Sequence, residues 1–300
     1  MINFNYGNSA FSPQNTRPEN NSKRTFNSSK LSNASQTLPA KRLSFGHELP
    51  SVPAKVKLFI FDFDGTLGNT LPMHFKAWQR VAEFVKSVTG DLRYCLTEVD
   101  RKIIPGFNKR GTIDHILGKG DRNFTEVEKK AFEAKKAEFS KDILNETPKS
   151  QLLTPGANDF VEILSNLGFK KVVATVSSGA KDVMKKAGLD KHFNKNNLKH
   201  PTLIDAKDKG ILFAQSKPDP GIFLAAAKAH NVKPSECVVF EDSKEGFAAA
   251  KGAGMPCIAI GDTPEGENPI FYRSKDFNGI ISNFDKLIDT GSSQKLALSA

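Results

Sequence analysis

Hydrophobic positions along this chain switch between two periods, and the switches mark out its elements. The run Leu-Phe-Ile-Phe at 58–61 has no polar interruption and stops at Asp62, the pattern of a short strand buried on both faces. From 71 to 88 apolar residues recur three and four apart, at Phe75, Trp78, Ala82 and Val85, which predicts a helix. Further helices are predicted around 110–117 and over 125–144, the second opening on Thr125 and Glu128 as a capping box. No strand pattern occurs between 71 and 151. Alternation then resumes: helix 157–167, strand 171–177, helix 180–189, helix 221–230, strand 236–241, helix 244–254 and strand 256–260. A last strand is expected at 279–282 and a last helix at 284–289, while the polar stretch 190–210 carries no readable period.

Strands alternating with helices of this length predict an α/β fold, a Rossmann-like parallel sheet covered on both faces. The helical stretch falls directly after the first strand, so it reads as an all-α cap inserted over the carboxyl edge of the sheet. The expected organisation is a core of 55–70 with 152–290, a helical cap of 71–151, a disordered basic tail of 1–54 and a flexible end at 291–300.

The position of Asp62 matters because open α/β sheets bind ligands outside the carboxyl ends of their strands. Asp64 lies two residues on, and Gly65 allows a tight turn above the strand end. Two neighbouring acids repel unless a positive group holds them, and a hard cation such as Mg²⁺ does so with carboxylate, water and phosphate oxygens. Three later segments offer what a phosphate site needs. The strand over 171–177 runs into Thr175, Ser177 and Ser178, whose hydroxyls suit phosphate oxygens along with nearby backbone amides, Val176 included, although hydroxyls at a strand end are more often helix caps. Lys217 precedes Pro218 in a restrained turn, where a solvated surface lysine is the plainer reading. The strand ending in Glu241 and Asp242 puts adjacent acids at one edge, with helix capping by Asp242 or Ser243 as the plainer reading. Together they supply a nucleophilic carboxylate, an acid/base, a phosphate clamp, a cation and acids for a metal.

Composition narrows the picture. The 300-residue chain carries a formal charge of +10, much of it in the Asn- and Ser-rich segment 1–54 and in scattered lysines. That segment is too poor in aliphatic residues to offset its ordering entropy, and an uninformative tail is the favoured reading over an organelle transit peptide. No aromatic and basic interleaving supports a nucleic-acid partner, and a positive field also attracts small anionic substrates. No apolar run approaches the roughly 20 residues that cross a bilayer, so no membrane partner is expected and the cytoplasm is the expected compartment. A monomer is expected. Cys95, Cys237 and Cys257 are widely spaced and odd in number, which suggests neither a disulfide framework nor a zinc site.

The motifs Asp-Phe-Asp-Gly-Thr-Leu from Asp62, the strand ending at Thr175, Ser-Lys-Pro-Asp-Pro around Lys217, and Phe-Glu-Asp-Ser followed by Gly-Phe-Ala-Ala-Ala-Lys-Gly-Ala-Gly resemble the four motifs of the haloacid dehalogenase superfamily of phosphotransferases. The resemblance covers about 56–262. The segment from Asp62 to Trp78, with His74 at a matching offset, is similar to the opening of the β-phosphoglucomutase-like branch. The resemblance implies that Asp62 attacks phosphorus to form an aspartyl-phosphate and that Asp64 protonates the leaving oxygen and then activates water or a second hydroxyl. It implies Mg²⁺ held by the Asp62 side chain, the Asp64 carbonyl and Asp242 with Glu241 nearby, and a phosphoryl group held by Thr175 and Lys217.

The sequence departs from that pattern in places. Asn69 replaces a usual Asp, Gly179 replaces an amide side chain, and Lys109 stands where the mutase-like pattern has Arg, with Arg110 one place later. Lys109 and Arg110 are candidates for a second phosphate contact, and Lys and Arg differ as phosphate forks. His74 shares a helix face with Trp78, so a core or hinge role weighs evenly against a proton-coupled gate beside the site. These differences favour a phosphatase acting on a small phosphorylated metabolite, a sugar phosphate, over a mutase-type phosphotransferase. A catalytically inactive binding protein on the same fold is a third reading.

Overall fold

The computed structural model describes residues 56–193, 203–205, 216–263 and 270–284. Among them, six strands form one sheet: β1 (Leu58–Phe61), β2 (Lys170–Thr175), β3 (Leu203–Asp205), β4 (Cys237–Glu241), β5 (Cys257–Ile260) and β6 (Tyr272–Ser274). The order is β3-β2-β1-β4-β5-β6 and every pairing is parallel. Strand β1 therefore sits inside the sheet with a partner on each side, as its uninterrupted apolar run requires.

Alternate side chains of β1 face opposite ways. Phe59 and Phe61 join one core with α5 (Ala157–Asn166), α6 (Ala180–Ala187) and α9 (Phe277–Ile281). Leu58 and Ile60 join the other with α7 (Gly221–Ala229) and α8 (Lys244–Gly252). The first core is rich in rings: Phe61 and Phe240 stack at 4.8 Å, and Phe160 packs on Phe277 at 5.4 Å. The architecture is thus a Rossmann-like sheet between two helical layers.

Between β1 and β2 lie α1 (Leu71–Thr89), α2 (Glu98–Ile103), α3 (Lys109–Leu117) and α4 (Glu126–Glu146). Their own apolar cluster, with Phe75, Trp78, Val81, Tyr94, Ile113 and Phe132 at its centre, makes them an all-helical insertion. The expected Thr125–Glu128 capping box is present, and Thr97 with Asp100 forms a second one at α2. The two chain segments linking insertion and sheet run side by side: Asn69 N donates to Leu152 O at 3.0 Å and Thr154 N to Leu67 O at 3.0 Å. The Asn69 amide adds a bond to Gln151 O.

Two expectations are corrected. Residues 279–282 are not a strand; they belong to the end of α9, whose start is capped by Asp276 accepting from Gly279 N, and the last strand is β6. The unreadable stretch 190–210 contains edge strand β3, whose three residues are too few to show a period. The tail 1–54, residues 285–289 of the expected last helix and the end 291–300 lie outside the described residues. No helix among the described residues is long and apolar enough to cross a membrane.

Candidate active site

Register builds the centre of the site. Phe61 pairs with Phe240 and Asp62 N donates to Phe240 O at 2.9 Å, so the residues that follow, Asp62 and Glu241, leave adjacent strands at the same level. The Lys217 ammonium reaches both, donating to Asp62 Oδ1 and Glu241 Oε1. Lys217 is held by the turn into α7, where its peptide bond to Pro218 is cis and Asp219 accepts from Gly221 N. Its ammonium also lies 5.1 Å from the centre of the Phe223 ring.

Glu241 is fully buried and every side of its carboxylate is occupied. Oε2 accepts from Asp242 N at 2.8 Å, Ser243 N at 3.0 Å and the Ser243 hydroxyl at 3.0 Å, while Oε1 accepts from Lys217. The group fits only because residue 246 is glycine: a Cβ there would stand 1.9 Å from the Glu241 carboxyl carbon. Asp242 points the other way, across the turn after β1, and accepts from the Thr66 hydroxyl. That turn places Gly65 at φ +86°, where a Cβ would also meet the Asp242 carboxylate at 2.0 Å. Both positions therefore demand glycine, one for contact alone and one for contact and backbone.

Charge in this cleft is unbalanced. Burial raises the Asp62 and Asp242 carboxyls well above the usual range, with the neighbouring Glu241 charge adding to the shift in both. Lys217 opposes the rise but is one cation among several acids. For Lys217 burial works against the charge, yet Asp62 and Glu241 overcome it and keep the ammonium protonated. Carboxylate oxygens of Asp62, Glu241 and Asp242 all lie within 4.8 Å of one another. An all-oxygen donor set with surplus buried negative charge fits a hard divalent cation.

Asp64 occupies a different environment. Burial disfavours its charge, but bonds from His74, Thr70 and Ser177 outweigh that and bring its pKa down to about 2. The Thr70 hydroxyl donates to Asp64 Oδ1 at 2.6 Å and His74 Nε2 lies 3.3 Å from the same oxygen. On the far side of the ring, Lys136 Nζ approaches His74 Nδ1 at 3.3 Å. An ammonium can only donate, so Nδ1 accepts and Nε2 carries the hydrogen that points at Asp64. Lys136 comes from α4, and its pKa is lowered by burial and by the nearby charge of Lys109.

Thr175 is buried at the end of β2, and its hydroxyl oxygen accepts from Ser177 N at 3.0 Å. The Val176 side chain is half exposed, and α6 starts at Gly179 without a side-chain cap. Lys109 sits in the first turn of α3 on the side of Lys136. Arg110 does not join them: its guanidinium pairs with Asp114 and with Glu126 at 2.5 Å, within the helical insertion. Sequence reasoning had no mark for Thr70 or Lys136. Lys136 lies in a helix with lysines at 129, 130, 135 and 141, and nothing in that pattern separates it from a solvated face.

Known proteins resemble the chain in sequence and in fold. The chain is 34% identical over 203 residues to a phosphorylated carbohydrates phosphatase of Thermotoga maritima, covering 66% of this chain and 82% of that protein. It is 28% identical over 208 residues to a β-phosphoglucomutase of Bacillus subtilis, covering 69% and 84%. A solved haloacid dehalogenase hydrolase from Entamoeba histolytica superposes with a TM-score of 0.62 at 26% identity, over 78% of this chain and 99% of that one. Residues 56–254 match the family model for haloacid dehalogenase-like hydrolases, and the chain belongs to that family, as a phosphohydrolase of its β-phosphoglucomutase-like branch.

Proposed function

We propose that the protein is a Mg²⁺-dependent phosphatase that hydrolyses a small phosphorylated metabolite, a sugar phosphate, through a phosphorylated Asp62. The observation that carries this is the convergence of Asp62, Lys217, Glu241 and Asp242 at the ends of β1 and β4 and the start of α7. Asp62 and Asp242 would hold the metal with the Asp64 carbonyl, and Glu241 beside them positions Lys217. Bound there, Mg²⁺ offsets negative charge on the phosphoryl oxygens.

An Asp62 carboxylate oxygen attacks phosphorus and the bond from phosphorus to the sugar oxygen breaks, with Asp64 giving its proton to the departing alkoxide. A water then attacks the acyl phosphate while Asp64 takes its proton, releasing inorganic phosphate and restoring Asp62. Asp64 is ionised in the structure, the form suited to the second step. A phosphate dianion arriving beside it raises its pKa and prepares it for the first, because like charge favours the neutral acid. Lys217 and the amide and hydroxyl groups at Thr175 to Ser177 hold the transferring group, mainly by electrostatic stabilisation. The helices from 71 to 151 form a cap that swings on the paired segments at Asn69 and Leu152, and His74 with Lys136 engages Asp64 when the cap is closed.

A panel of phosphate monoesters with and without Mg²⁺ tests this. Release of inorganic phosphate that stops on chelation is expected; no release from any member overturns the reading. The similarity to a β-phosphoglucomutase supports a second reading as a phosphotransferase. With β-glucose 1-phosphate and a bisphosphate primer, accumulation of glucose 6-phosphate would favour that reading, and release of phosphate the first.

A further inference from the structure

The core shared by β1, α7 and α8 is mostly aliphatic, unlike the ring-filled core on the other face of the sheet. Its buried residues include two rings, Phe247 and Phe223, the second on the first turn of α7. Phe223 is fully buried, yet its packing is not aromatic: among the described residues no other ring meets it. What lies over its face is the Lys217 ammonium, 5.1 Å from the ring centre.

That ammonium is hard to keep where it is. The Lys217 side chain is only 9% exposed, and a buried cation needs partners in place of water. An ammonium has three hydrogens to give. Asp62 and Glu241 accept from it, which leaves one hydrogen for a phosphoryl oxygen. A further carboxylate would stabilise the cation, but it would add to the negative charge of Asp62, Glu241 and Asp242 and repel an arriving phosphate. An aromatic face attracts a cation through its quadrupole and carries no net charge. On the proposed route Asp62 also loses its charge when it becomes the acyl phosphate, after which Glu241 and the ring are the partners that remain.

We propose that Phe223 is a positioning residue: the face of its ring holds the Lys217 ammonium in place through both displacements, stabilising a buried cation without adding negative charge to a cleft that must admit a phosphate. Its effect on turnover rests on the phosphatase reading of the site. The ring acts through Lys217 and on the transferring group, so its electronic character matters to kcat and little to KM.

The test replaces Phe223 site-specifically by phenylalanine carrying one, two and three ring fluorines, which withdraw charge from the ring face while nearly preserving its size. Phe223→Leu is made alongside, and all are first checked for folding by thermal melting. With Mg²⁺ and a phosphate monoester, kcat should fall stepwise with each fluorine, by roughly tenfold at three and about as far in Phe223→Leu, with KM little changed. A ring that only fills space gives the same kcat at every fluorine number. That flat series, or a trend in KM alone, overturns the proposal. A second measurement needs no turnover: the same fluorine series is melted in the wild-type and Lys217→Met backgrounds. Stability should fall stepwise where Lys217 is present and not where it is absent, and equal trends in both overturn the contact. If wild type hydrolyses no ester while the melting series shows this coupling, the phosphatase reading is what has failed and the contact stands.

Discussion

The two halves of the site are built by different means. Asp62, Glu241 and Lys217 are fixed by the ladder between β1 and β4 and by the turn into α7, with both Lys217 contacts made inside the core. His74, Lys136 and Lys109 are carried by three helices of the insertion, and they touch the core through one contact of 3.3 Å between His74 and Asp64. The sheet half has a fixed geometry because moving Asp62 or Glu241 would disturb the pairing of β1 with β4, and Lys217 bonds to both carboxylates. Between the helical half and the sheet half the described bonds include those of the paired segments at Asn69 and Leu152 and those from the Lys186 ammonium to the Leu144 and Asn145 carbonyls. On the proposed reading, such a division puts the bond-making groups on the sheet and the groups that would sense closure on the helical cap.

The comparison can be broken first from below. Phe160 is fully buried against Phe59, Phe61, Phe240 and Phe277 under the sheet half, and Phe160→Ala should cost about 3–5 kcal/mol in denaturant unfolding. A loss under about 1 kcal/mol would mean that this ring cluster does not set the platform. Next comes Lys217→Ala, expected to lower kcat on the order of 10²-fold or more, as removal of a preorganised charge does. Little change in turnover would take Lys217 out of the site. On the helical half, Lys136→Met should lower kcat by only about tenfold, since His74 keeps its place but loses the donor that fixes its tautomer. An effect as large as that of Lys217→Ala would erase the distinction between the halves. Smallest of all, Arg80→Ala removes a partly exposed ion pair with Glu146 and should change stability by under about 1 kcal/mol, measured by melting.

The same division governs what could be read from the sequence. Asp62, Thr175, Lys217, Glu241 and Asp242 stand at strand ends or a turn with proline, where uninterrupted apolar runs stop at a polar residue, and the parallel sheet gathers them without further information. Glu241 was legible as a candidate acid at a strand end, but not as the acceptor of four donors, because that depends on the close approach of Gly246. Lys136 and Thr70 could not be singled out, since periodicity shows which face is polar and not that Lys136 meets His74 or that the Thr70 hydroxyl meets Asp64. Arg110, one place from Lys109 in sequence, turns some 100° around the helix and pairs with Asp114 and Glu126. The short strand β3 and the exchange of strand for helix near 279 reflect local capping and edge pairing that periodicity does not carry.

The most direct measurement is covalent. Wild type and Asp62→Asn are mixed with Mg²⁺ and a phosphate ester labelled on phosphorus, quenched in acid within milliseconds, and the retained label is mapped by peptide. Label on Asp62 in wild type and none in the folded Asp62→Asn protein is the expected result. Label on another residue, or unimpaired turnover by Asp62→Asn, would contradict the placement of the chemistry at the end of β1.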